Sequence, residues 1–370
     1  DIFQLFGQDI EVRMNWSDGW EGSPETTPSI DFVKSFGPQG LAVPTGGEPI
    51  YIDFAGGAFI EASIKNATLM LSQFVYVQGD FAFRKGGSRE VTVDYGILGT
   101  IKGVRTNTIE FGASNVQAFI GVGGPYIQDS NRDGYVTDRD VTEGGVTYKA
   151  DPINTSAIGL VVNDLEFGMT ILTTQAPNIL ANPKSILVPE GTKFTAMRAT
   201  GKQIAMVGLP EELEFSFEDV LFELNQSDQD GMIVDFTDGG KSEGMAINTG
   251  NPNRPMVLDF NEDMLTASIG YARINIAGVL ALEGGITLQR RTMDADIYIA
   301  GIAMPRGVVG VDALVLGGRN VTAFAGINGP YVTDKDTDPN DPGYHDTADE
   351  YAAGDVNEDA IGFSIVNLDF

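Results

Sequence analysis

The chain repeats itself, and that constrains its fold more than any other feature. Asn115-Val-Gln-Ala-Phe-Ile-Gly-Val-Gly-Gly-Pro-Tyr126 returns as Asn320-Val-Thr-Ala-Phe-Ala-Gly-Ile-Asn-Gly-Pro-Tyr331, at an offset of 205 residues. Ala157-Ile-Gly-Leu-Val-Val-Asn-Asp-Leu-Glu-Phe167 returns as Ala360-Ile-Gly-Phe-Ser-Ile-Val-Asn-Leu-Asp-Phe370, at 203. Ile52-Asp-Phe54 returns as Leu258-Asp-Phe260 at 206, and Asp9-Ile-Glu-Val12 with Ser17-Asp18 returns as Asp219-Val-Leu-Phe222 with Ser227-Asp228 at 210. The anchors keep their order while the offset drifts by a few residues, which is the mark of a repeat architecture. The expected division is 1–218 for a first unit and 219–370 for a second, incomplete one, with the phase of the cycle arbitrary. A start at Asp1 with no leader segment is read as a mature product or a window cut from a longer array.

Within each unit the apolar residues alternate with period two, the pattern of half-buried strands. Ala58–Leu71, Phe74–Phe83, Glu214–Leu224, Ala267–Ile276 and Val279–Leu288 all carry it. No long stretch has helical periodicity, and 46 glycines suit many tight turns. The expected fold class is all-β, with few or no helices. The array is expected to be either a wide β-solenoid or linked β-sandwiches, each unit covering its open ends with its neighbours. Ile158–Val162 is expected to be buried on both faces, and 184–192, with Pro183 and Pro189, to be a connection.

Charge and composition remove several function classes. A net charge of -29, from 52 acidic against 23 basic residues, repels nucleic acid and anionic membranes and attracts divalent cations. With no Cys there is no disulfide, thiolate metal site or Cys nucleophile. No run of 18 apolar residues exists to form a transmembrane helix. His345 is the only His and lies in a loop that differs between the two units, which argues against a Ser-His-Asp triad and against a His-rich metal site. Gly239-Gly-Lys-Ser242 lacks the first Gly and the strand–loop–helix setting of a phosphate loop. Gly121-Val-Gly-Gly124 recurs as Gly326-Ile-Asn-Gly329 and reads as a turn of the repeat. The chain is therefore expected not to be an enzyme, with no catalytic and no cofactor-binding residues assigned.

The sharpest local motif is Asp129-Ser-Asn-Arg-Asp-Gly-Tyr-Val-Thr-Asp-Arg-Asp140. Asp129, Asn131 and Asp133 stand at positions 1, 3 and 5 of a twelve-residue loop, with Gly134 at the sharp turn. Tyr135 offers its carbonyl at 7, Thr137 its hydroxyl at 9, and Asp140 its carboxylate at 12. Ca2+ needs six to eight hard oxygens, and this spacing wraps them around one ion. Asp at position 12 resembles the loops of dockerin modules, although no amphipathic helices flank it. In the second unit Asp334, Asp336 and Asp338 keep the 1-3-5 spacing, with Pro339 in place of the turn Gly, and form a looser candidate. Asp228-Gln-Asp-Gly231 and Asn15-Trp-Ser-Asp-Gly19 occupy matching points, where ordinary turn chemistry competes with ion binding.

The order of motifs in one cycle resembles the repeats of very large secreted bacterial surface proteins of the adhesin or envelope kind. The residues that carry the likeness are Phe194–Pro210, the strand pair ending at Asn225, Val234–Asp238, and Gly79-Asp-Phe-Ala-Phe83. The resemblance implies an extracellular, cell-surface β array used in adhesion, matrix or filament. Its partners would be neighbouring repeats or copies of itself, and surface glycans, with no nucleic acid and no membrane insertion. The calcium nonapeptides of toxin-like repeats are absent. Two alternatives stand beside it. A carbohydrate-binding module would use Trp16 and Trp20 as a sugar platform. An outer-membrane β-barrel would need an apolar outward band, against which the Lys, Glu and Arg among the alternating positions argue.

Overall fold

The computed structural model describes residues 3–17, 28–72, 74–133, 135–180, 182–210, 212–296, 308–332 and 356–370. The alternating segments become strands: β1 (Phe3–Asn15), β2 (Leu41–Val43), β3 (Ile50–Ile52), β4 (Phe59–Leu71), β5 (Val75–Asp94), β6 (Thr100–Val122), β7 (Val141–Glu143), β8 (Val146–Tyr148) and β9 (Ile158–Thr174). They continue as β10 (Lys193–Val207), β11 (Leu213–Ser227), β12 (Ile233–Asp235), β13 (Met245–Ile247), β14 (Met256–Leu258), β15 (Met264–Ile276), β16 (Leu280–Asp296), β17 (Val308–Ile327) and β18 (Ile361–Leu368). The single α-helix described, α1 (Phe32–Phe36), is one turn capped by Asp31, and a short 3-10 turn at Pro183–Leu187 occupies the expected connection. No helix of the described residues is long and apolar enough to cross a membrane.

The long strands form one antiparallel sheet in the order β1-β4-β5-β6-β9-β10-β11-β15-β16-β17-β18. The all-β, helix-poor expectation is met. The two arrangements weighed from sequence are not: a single sheet runs through both units, in place of a solenoid stack or separate sandwiches. The 218/219 division falls inside β11. The second unit reproduces the first strand for strand: β11 matches β1, β15 matches β4, β16 matches β5, β17 matches β6 and β18 matches β9. The small hairpin β13–β14 likewise matches β2–β3.

One face of the sheet is covered. The segment between β11 and β15 crosses back over β10, β9 and β6 and pairs β12 with β5, from Ile233↔Asp94 to Asp235↔Thr92. Its Met232, Val234, Phe236, Ile247, Leu258 and Phe260 pack on Val93, Val104, Leu172 and Phe194 of the sheet to make the main core. Asn225 is wholly buried and ties this cover down, its side-chain amide donating to Val234 O and Glu262 O, both at 3.0 Å. Several ion-paired residues sit on this covered face. Arg198 reaches Glu223, Asp259 and Val257 O, and Glu61 accepts from Arg84 and Asn248.

The other face is apolar from strand to strand. Directly paired residues share a face, and one such row reads Val12, Ala62, Phe83, Phe111, Met169, Met197, Leu224, Leu265. The next reads Phe81, Ala113, Phe167, Ala199, Phe222, Ala267, Leu288, Leu316, with large and small side chains alternating over most of its length. The expectation that charges would interrupt the outward positions holds only in part: these stretches are uncharged, but the first row meets Arg290 opposite Leu265 on β16, and Lys85 stands on the open face two residues beyond Phe83. Ile158 is 48% exposed, so Ile158–Val162 is not buried on both faces either.

A line of irregularities crosses the sheet. Asp9, Asn66, Asn115, Asp164, Asp219, Asn320 and Asn367 adopt left-handed backbone, the conformation that Asn and Asp tolerate best among residues with a Cβ. Register shifts accompany most of them. Side chains satisfy the amides that the broken ladder frees. Asn66 N donates to Asp80 Oδ1 at 2.9 Å, Asp164 N to Gln117 Oε1 at 3.3 Å, and Asn320 N to Asp369 Oδ1 at 2.9 Å. Each bulge slips the alternation by one residue. On β9 the open face therefore passes from Phe167 and Leu165 to Val162 and Leu160 and stays apolar through the bend.

Candidate metal site

The acidic loop of the first unit lies in the long connection between β6 and β9. Its neck is closed by Asn154, whose side-chain amide donates to Gly123 O at 2.7 Å and Pro125 O at 3.0 Å, with a bridge between Ile127 and Ile153. The second unit builds the same neck. Asn357 donates to Asn328 O at 2.7 Å and Pro330 O at 3.2 Å, and Val332 bridges Val356. The neck is thus a property of the repeat, and the acidic contents differ between units.

Inside the first loop the expected ligands are placed as follows. Asn131 Oδ1 accepts from Asp133 N at 2.8 Å, and its side-chain amide donates to Lys149 O at 3.0 Å. Asp133 accepts from Tyr135 N and from Lys149 N, each at 3.0 Å. Thr137 Oγ1 donates to Arg139 O at 2.9 Å. Asp140 accepts from Ala150 N at 3.0 Å and pairs with the Lys149 ammonium, which holds its carboxyl below the usual range. Asp151, missed from the sequence, is buried and accepts from Ser130 N at 2.9 Å and Ser130 Oγ at 3.2 Å. Asp129, at position 1, immediately precedes Ser130 in the chain. These contacts bring positions 3, 5 and 12 to the irregular segment Lys149–Ala150 that follows β8 but spend their oxygens on amides and one ammonium. Among the described residues no three Asp, Glu, His or Cys side chains converge into a metal-holding group. Asp334, Asp336 and Asp338 lie outside the described residues, as does Gly134.

The loop is seated on the sheet by Tyr135 and Arg254. Tyr135 is buried and stacks on Tyr148 with ring centroids 4.8 Å apart, and burial pushes its hydroxyl well above its ordinary range. Arg254, from the cover, meets Glu166 at 2.6 Å, Asp164 at 3.2 Å and Glu143 at 3.4 Å, and its guanidinium lies 5.8 Å from the Tyr135 ring. Burial pushes the Glu166 carboxyl up to about 7; Arg254 pulls it down, while Asp164 and Glu143 add to the rise. One guanidinium therefore joins three elements: the hairpin β7–β8 through Glu143, the bend in β9 through Asp164, and the cover. Sequence reading missed this cluster, because its members are far apart in the chain and each looks like an ordinary surface charge.

The remaining candidates resolve as turns or stay apart. Asp228 accepts from Lys193 N at 3.0 Å, and Asp235 accepts from Thr237 N and Gly239 N in front of the Gly-Gly-Lys-Ser turn. Trp16 is half exposed, and Trp20 lies outside the described residues. No protein-family model, curated protein or solved structure matches the chain.

Proposed function

We propose that the chain is an extracellular structural repeat scaffold of a cell surface, filament or matrix, with Ca2+ bound in the loop Asp129–Asp140. The observation that supports it best is the strand-for-strand recurrence of five long strands in one uninterrupted sheet, an architecture that extends by adding units. The reading assigns no catalytic step. Calcium is supported by the ligand spacing and by the closed neck that holds the loop in place. In binding, the ion would replace Lys149 as the partner of Asp140 and would draw Asp129 and Asp133 toward it.

A ligand that binds only the folded state raises stability by mass action. Adding calcium to the chelator-treated chain is expected to raise the melting temperature. Asp129→Ala/Asp133→Ala is expected to abolish most of that rise while leaving the metal-free melting temperature within a few degrees. No calcium-dependent shift at millimolar concentration would remove the ion from the reading.

One observation favours a second reading, a membrane-facing sheet of the outer-membrane kind. The open face carries uncharged rows on eight successive strands, broken at Lys85 and Arg290, while the Arg198 and Arg84 ion pairs lie on the covered face, a partial form of the segregation a lipid-facing strand requires. Flotation with zwitterionic lipid vesicles separates the two. Under the scaffold reading the chain stays in the dense fractions and self-associates through the open face. Under the membrane reading it floats, and Phe167→Lys, at the centre of the apolar rows, abolishes flotation.

A further inference from the structure

The order of strands in one unit is cyclic. The strand of β10 type lies between the β9-type strand before it and the β11-type strand after it, paired with both. β1 is the first unit's counterpart of β11, and among the described residues its outer edge carries no strand. The cover behaves in the same way. In the second unit the segment following β11 lies over the strands that precede β11, and its Ile247 and Leu258 are fully buried. In the first unit the corresponding hairpin β2–β3 makes no extensive contact with the long strands, and Val43, Ile50 and Tyr51 are 36%, 64% and 47% exposed. An edge and a cover are both in place, with no sheet between them.

We propose that this edge, together with the overhanging hairpin, docks a strand of β10 type from another unit of the same repeat. It would be held on β1 in the register that β10 holds on β11. Transposed by the repeat offset of 210, Ala199↔Phe222 becomes a pairing with Val12, Met197↔Leu224 one with Met14, and Gly201↔Val220 one with Ile10. The ion pair of Lys202 with Asp219 would be remade with Asp9.

One position changes the chemistry of the occupant. On β11, Glu223 receives Arg198 from β10, and that guanidinium also meets Asp259 at 2.7 Å and lies 4.9 Å from the Phe260 ring. On β1 the residue matching Glu223 is Arg13, which itself meets Asp53 at 3.2 Å and lies 5.0 Å from the Phe54 ring. Asp53 and Phe54 match Asp259 and Phe260 at the offset of 206. The edge strand thus already supplies the guanidinium that β10 supplies in the second unit. A second Arg facing Arg13 would be repelled, since like charges directly opposite destabilise a strand pair. The occupant therefore carries an acidic residue where β10 carries Arg198.

The inference rests on the scaffold reading but not on calcium, and disulfide trapping tests it with and without chelator. The chain has no Cys, so a Cys introduced at the well-exposed Val12 has no other protein thiol on its own chain. A synthetic peptide spanning Lys193–Val207, with Ala199→Cys and Arg198→Glu, is expected to cross-link to Val12→Cys. Cross-strand pairs bring the two Cβ atoms within bonding range of each other. The same peptide with Arg198 retained is expected to react roughly fivefold less, and Arg13→Glu in the chain is expected to reverse that preference. Peptides with Cys moved to position 198 or 200 point it to the opposite face and should not react. Equal yields from all registers, indifference to the charge at position 198, or no cross-link at all would overturn the proposal. A calcium response that survives such a failure would leave the scaffold reading standing.

Discussion

Phe194→Ala is expected to lower the unfolding free energy by about 3–5 kcal/mol, the range for a fully buried aromatic ring. Phe194 is 1% exposed and sits on β10, paired with Leu172 of β9 and facing the cover that crosses from β11 to β5. Truncation removes the ring's burial and leaves a hole in the main apolar cluster between the two layers. The backbone on both sides is held in a ladder and cannot close the hole without breaking pairs. Because β10 is the strand that joins the two units, the loss should be felt across the whole sheet as a lower denaturation midpoint. Phe363→Ala is the control. That ring is 66% exposed on β18, and its loss should stay within about 0.5 kcal/mol. Equal effects from the two variants would mean that the cover does not form a core with the sheet.

The strand content was legible because alternation, Gly-rich turns and repeat all pointed the same way in segments such as Phe59–Leu71 and Leu213–Ser227. The joining of the strands was not. A solenoid, a pair of sandwiches and one continuous sheet place the same residues in the same strands. What separates them is the partner of each edge, which is a long-range choice. The bulge line left a local trace that period-two reading passes over. At Asp9, Asn66, Asn115, Asp164, Asp219, Asn320 and Asn367 a polar residue able to adopt left-handed backbone is followed at once by an apolar one. Reading those pairs as slips in the alternation would have kept the apolar residues on one face through each bend, with Lys85 and Arg290 as interruptions of it.

For the site, ligand spacing picked out the segment Asp129–Asp140 but said nothing of what closes it or of competitors for its oxygens. Lys149 on Asp140 and the buried Asp151 come from a stretch that contributes nothing to a twelve-residue motif. Arg254 is further still from the loop in sequence, and only the path of the cover brings it to Glu143, Asp164 and Glu166. These are tertiary facts, and no periodicity encodes them.

Arg254→Met tests whether that cluster holds the loop to the sheet. Removing one partner of a buried ion pair leaves the others uncompensated, at a cost of several kcal/mol when the site is fully dry. Here the four side chains keep between 12% and 25% exposure, so solvent screening reduces the expected loss to about 2–3 kcal/mol at pH 8. The pH dependence follows from Glu166, which Arg254 holds down against its burial: without the guanidinium its folded-state pKa rises further above the unfolded one, so the penalty exists where it is ionised. It should shrink as pH falls through about 7, where Glu166 of the folded protein binds its proton with or without the guanidinium. In the unaltered protein the raised Glu166, at about 7, already works in this direction. Its protonated form is favoured by folding, so stability should decline as pH rises from about 4.5 to 7 and level off above. Glu166→Gln should flatten that decline without the loss seen for Arg254→Met, because Asp164 and Glu143 still pair the guanidinium. Thermal melts of the three proteins from pH 4 to pH 8 decide it. If Arg254→Met loses the same stability at pH 4 as at pH 8, the guanidinium acts by packing on Tyr135 and not by charge.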